Sequence, residues 1–116
     1  MRVLFDHNVP SGIAGSLKEH SVTLTVERGW ERLSNGELLS SAEAAGFEVM
    51  VTADKNIRYQ QNLKHRRIAL VLLSNPTWRD VQPFVERIVY AVNAATINSF
   101  TEVDIPRPPK KPFVRP

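Results

Sequence analysis

The 116-residue chain has no cysteine, which excludes disulfides, thiolate metal sites and a cysteine nucleophile. Long apolar runs are missing too. The longest, Ile68 to Leu73, is strand-sized and far too short to span a bilayer. Only Val3-Leu4-Phe5 precede the first acid, so there is no signal-peptide core. Acids are absent from the last twelve residues, which hold four cations: Arg107, Lys110, Lys111 and Arg115. The whole chain carries +3, so residues 1–104 carry a net −1. These absences predict a soluble, cytoplasmic protein without a membrane partner, whose basic character lies in its tail.

Apolar residues make up 42% of the sequence, enough for a folded domain of this size. Strand-like segments are Arg2–Phe5, Val22–Thr25, Glu48–Thr52 and Ile68–Leu73, with a weaker fifth at Thr101–Ile105. Their apolar residues run continuously instead of alternating, as in strands buried on both faces of a parallel sheet. Helical patterns lie between them. Pro10–Glu19 places Ile13, Ala14 and Leu17 on one face. Ser34–Ala45 opens with the capping-box pattern Ser34-x-x-Glu37 and meets Gly46 as a stop. Asn56–Lys64 is polar, and Thr77–Asn93 has the longest apolar stripe, from Val81 to Val92. The alternation predicts a three-layer α/β fold with a mainly parallel sheet of four or five strands flanked by helices. Residues 1–105 form the expected domain. Residues 106–116, with five prolines, form an expected disordered basic tail.

Open parallel sheets bind ligands at the carboxyl ends of their strands. Asp6, His7 and Asn8 follow the first strand; Thr52, Asp54, Lys55 and Asn56 end or follow the third; Ser74 and Asn75 follow the fourth. Glu37 joins them if its helix starts at the same edge. Such oxygen-rich donors suit Mg²⁺ or Mn²⁺, which can support phosphodiester hydrolysis. If the three carboxylates converge they repel one another, so neutralising Asp6 is expected to raise the stability of the metal-free protein. Structural roles compete with each assignment. Asp54 suits a helix cap, Glu37 the capping box, and Asp6 with Asn8 an Asx turn. His7 is expected to face solvent and Trp30 to pack in the core. The segment "NIRYQQNLKHRR", with Arg58, Lys64, Arg66 and Arg67 beside Tyr59, suits either a phosphate backbone or an ordinary solvated helix.

The stretches "RVLFDHNVP", "GWERLSNGELLSSAEAAGFEVMVTADKNIRYQQNL" and "RRIALVLLS" resemble the PIN-like domains of bacterial toxin–antitoxin loci, relatives of the VapC-type ribonucleases. The resemblance covers residues 1 to about 95 and rests on Asp6-His7-Asn8-Val9-Pro10, Asn35-Gly36-Glu37 and Thr52-Ala53-Asp54. It implies a PIN-type sheet and an endoribonuclease in which Asp6, Glu37 and Asp54 hold Mg²⁺ or Mn²⁺ and carry catalysis. Asn8, Thr52, Asn56, Arg58 and Lys64 are then expected to support those acids or the substrate. The expected partners are an RNA substrate, a cognate antitoxin and a second copy of the chain. His7 replaces the family's usual Glu, and Asn35 stands where Asp is common. Two alternatives remain open: a PIN-like module that binds without cleaving, and a phospho-acceptor domain using Asp54.

Overall fold

The computed structural model describes residues 1–57 and 65–108. The sequence segments form five strands: β1 (Arg2–Phe5), β2 (Ser21–Leu24), β3 (Val49–Thr52), β4 (Ala69–Leu73) and β5 (Phe100–Val103). Every pairing is parallel, and the strand order is β2-β1-β3-β4-β5. Side chains alternate across this sheet and supply two cores. Val3, Phe5, Val49, Val51, Ala69, Val71 and Leu73 face one side, whereas Leu4, Met50 and Leu70 face the other. Both faces are buried, which is why the strands read as unbroken apolar runs.

Helix α1 (Asn35–Ala44) covers the second face with Leu38, Leu39 and Ala42. Ser34 caps it as expected: its hydroxyl oxygen accepts from the Glu37 amide, while Glu37 reaches back to the Ser34 amide. Gly46 follows its last turn at φ 86°, a left-handed conformation that suits glycine. Trp30 packs on this core and meets Phe47 edge-on at 6.2 Å between ring centroids.

The first face is covered differently from the sequence expectation. Residues 10–19 do not form an α-helix; only Ser11–Ser16 coil, as a 3₁₀ turn that buries Ile13. Gly12 and Gly15 within six residues remove the helix propensity that the apolar spacing alone suggests. The long pattern at 77–93 divides into α2 (Trp78–Val81), a 3₁₀ turn (Gln82–Phe84) and α3 (Val85–Asn93). Pro83 explains the break, since it has no amide hydrogen for the Arg79 carbonyl and its ring crowds that group. Val81, Ile88, Ala91 and Val92 still reach the core. Most of the predicted 56–64 helix, with Arg58 and Lys64, lies outside the described residues, as does the tail beyond residue 108.

Candidate functional site

The chain leaves β1 for β2 on one side, then returns to build β3, β4 and β5 on the other. This reversal places the crevice of an open parallel sheet between the carboxyl ends of β1 and β3. Asp6 follows β1 directly and Thr52 ends β3. Phe5 pairs with Val51, so Asp6 and Thr52 stand level across the two strands. The Asp6 amide continues the ladder by donating to the Val51 carbonyl at 2.9 Å.

Asp6 is only 5% exposed. A buried carboxylate needs donors, and the loop and strand supply them. The His7 amide donates to Oδ1 at 2.8 Å, and His7 Nδ1 lies 3.1 Å from the same oxygen. The Thr52 hydroxyl donates to Oδ2 at 2.8 Å. That hydroxyl oxygen in turn accepts from the Asp54 amide at 3.1 Å. One threonine thus fixes the side chain of the first acid and the backbone of the second. Asn8 adds a parallel tie, its Oδ1 accepting from the Ala53 amide at 3.2 Å. Asn8 therefore links the two loops.

Asp54 lies in the turn after β3, where its Oδ1 accepts from the Asn56 amide at 3.0 Å. Its Oδ2 accepts from Asn35 Nδ2 at 2.9 Å. Asn35 is the first residue of α1, so the positive end of that helix faces the second acid. Asn35 is the site residue that reading the carboxylates alone overlooks. The signal lies in the Asn-x-Glu helix start, whose Asn, and not its Glu, meets Asp54.

Glu37 is placed differently. It is exposed, and its Oε1 accepts from the Ser34 hydroxyl at 2.8 Å, completing the cap. Asp6 and Asp54 are joined through Thr52, while Glu37 is bonded into the cap of α1. Among the described residues, no three His, Asp or Glu side chains gather as a metal-holding group. His7 is largely exposed, as expected, although its ring touches Asp6.

A second polar pair stands at the end of β4. Asn75 and Asp80 are both buried, and Asn75 Nδ2 donates to Asp80 Oδ2 at 2.9 Å. Ser74 turns away from the crevice, and its hydroxyl accepts from the Ile105 amide at 2.8 Å. Comparisons with protein-family models, curated proteins and solved structures find no match to this chain.

Proposed function

We propose that the chain is a PIN-like endoribonuclease that depends on Mg²⁺ or Mn²⁺, cleaves single-stranded RNA in the cytoplasm, and serves as the toxin of a toxin–antitoxin pair. The observation that carries this is the Asp6–Thr52–Asp54 linkage at the point where strand order reverses. Two carboxylates from neighbouring central strands, with amide and hydroxyl groups around them, form a hard-oxygen donor set. Magnesium is commonly held by one or two carboxylates, with water and substrate phosphate completing its shell. A carboxylate has about four lone-pair sites, and the two bonds given above for Asp54 leave capacity for a cation. The donors therefore fit Mg²⁺ or Mn²⁺, with Asp6 and Asp54 as the holding pair. Such an ion supplies an activated water and offsets charge on the scissile phosphate.

The chain's own groups do the rest. Thr52 and Asn8 lock the two loops at fixed separation, and Asn35 orients the Asp54 carboxylate from the opposite layer. Glu37 sets the helix start that presents Asn35; the cap holds its Oε1, so the second carboxylate oxygen is the one that would serve as a third ligand or orient a water. The phospho-acceptor alternative needs a lysine near the last strand. Phe100–Val103 and the following Asp104 and Ile105 offer none.

The test is cleavage of a single-stranded RNA by the full chain with Mn²⁺. Activity is expected to vanish with chelator and in Asp6→Asn and Asp54→Asn. Undiminished cleavage by the double variant removes both acids from the chemistry. Binding without cleavage in the wild type, at any divalent-ion concentration, favours the non-catalytic module, a reading to which the cap-bound Glu37 lends support.

A further inference from the structure

We infer that Trp78 is a base-stacking platform for single-stranded RNA at the edge of the site, with Arg79 and Arg107 as its phosphate contacts. This rests on the ribonuclease reading for its substrate class, but on separate residues for its support. Trp78 opens α2, three residues beyond Asn75 at the exit of β4. All strands are parallel, so that exit lies on the same edge as Asp6 and Thr52.

The indole reaches back toward β1. A Cβ built on Gly12 would stand 2.6 Å from Trp78 Cζ2 and 2.8 Å from Cη2, so the benzo ring rests on the glycine backbone. Gly12 lies in the 3₁₀ turn just beyond the Asp6 loop. Trp78 therefore bridges the exits of β4 and β1, two strand spacings or about 10 Å apart, a reach suited to a short stretch of extended strand. Even so, 38% of the tryptophan stays exposed.

Its mounting is rigid. Asn75 Oδ1 accepts from the Thr77 amide at 2.9 Å, and the Asp80 and Val81 amides both donate to the Thr77 carbonyl at 2.9 Å. The buried Asn75–Asp80 pair closes this turn from beneath. A ring held in this way loses little entropy when a base stacks on it.

One cation follows Trp78 in the chain, and a second lies near that one. Arg79 is the first, and its side chain is 84% exposed, with Nε 3.7 Å from Asp80 Oδ1. Arg107 is exposed and shares with Arg79 one cleft of about 450 Å³, which Asp80, Phe84 and three prolines also line. A part-exposed aromatic with arginines further along the same surface is the chemistry of sequence-tolerant single-strand binding. Duplex RNA keeps its bases stacked inside and presents no free face to such a ring.

The test uses the full chain with Trp30→Phe, so that emission reports Trp78 alone, and an oligouridine of about 12 nucleotides in chelator. Titration is expected to quench Trp78, and a duplex of the same length is not. With a dye-labelled oligouridine, Trp78→Phe should bind within about threefold of wild type. Trp78→Leu, which keeps an apolar cover over Gly12, should bind about tenfold more weakly. Arg79→Ala and Arg107→Ala should each lower the slope of log affinity against log salt by about 0.7. Equal affinity of the Leu and Phe variants, or equal quenching by the duplex, overturns the platform. Quenching without Mn²⁺-dependent cleavage leaves the platform standing and sinks the nuclease. Cleavage together with a silent Trp78 does the reverse.

Discussion

The Thr52 hydroxyl donates to Asp6 Oδ2 at 2.8 Å while accepting from the Asp54 amide at 3.1 Å. Thr52 is fully buried. Thr52→Val preserves shape and strand preference but strips a partner from a buried carboxylate and from an amide. The expected loss is about 1–3 kcal/mol. Urea denaturation should show a lower midpoint at unchanged slope, and RNA cleavage should fall with it. Stability equal to wild type would mean the hydroxyl is not the link.

Asp6→Asn separates a metal site from a turn. Simple repulsion between acids predicts a more stable metal-free protein, but the donors around Asp6 reverse that direction. The His7 amide and Thr52 hydroxyl both point at carboxylate oxygens. An asparagine must present its own NH₂ to one of them, at a cost of about 1 kcal/mol. Wild type should gain about 1.4 kcal/mol at a Mn²⁺ concentration ten times Kd, a melting shift of roughly 4–8 °C. The variant should start lower and lose most of that shift. Melts with and without Mn²⁺ decide it.

Glu37 can be divided into its two roles. Glutamine also completes a capping box, so Glu37→Gln should leave stability within about 0.5 kcal/mol, whereas Glu37→Ala should lose about 1 kcal/mol. If Glu37 acts only by setting the helix start, the Gln variant keeps cleavage within about threefold. A loss beyond about tenfold in an equally stable Gln variant would place its carboxylate in the chemistry.

Two glycines five residues or fewer beyond Pro10 should respond in opposite directions. Gly12→Ala drives a methyl into the Trp78 ring, and overpacking of this kind costs about 1–3 kcal/mol. Gly15 has nothing within 4 Å of its would-be Cβ. Gly15→Ala should be neutral or stabilise by up to about 1 kcal/mol through the unfolded chain. Denaturation of both variants against wild type measures the contrast.

Most of the sheet was legible from the residues. Val49-Met50-Val51 and the run through Leu73 are unbroken because helices cover both faces, and only that burial removes alternation. The capping box was equally plain, since Ser34 and Glu37 act within one turn. The first helix was not, because Ile13, Ala14 and Leu17 show the same spacing whether six residues coil or ten. The stripe from Val81 to Val92 hid the break at Pro83, since its apolar positions stay in phase across the turn. For the site, Asp6 and Asp54 could be placed from strand ends alone. Asn35 could not: its partner is nineteen residues away, and only the docking of α1 on Met50 and Leu70 brings them together.

The strand order also governs how the chain meets its partners as it leaves the ribosome. In order of synthesis β2 is the first partner made for β1, and β3, β4 and β5 each lie one place further out on the other side. Until β4 emerges, Val49–Val51 presents an unpaired apolar border, the kind of segment that recruits other nascent chains. The mostly polar residues between Asp54 and Arg67 come next in synthesis and delay β4. Fragments ending in this interval leave the β3 border open, whereas those ending after β4 cover it and complete the layer of Leu4, Met50 and Leu70 beneath α1, leaving the other face open until Ile88, Ala91 and Val92 of α3 are made.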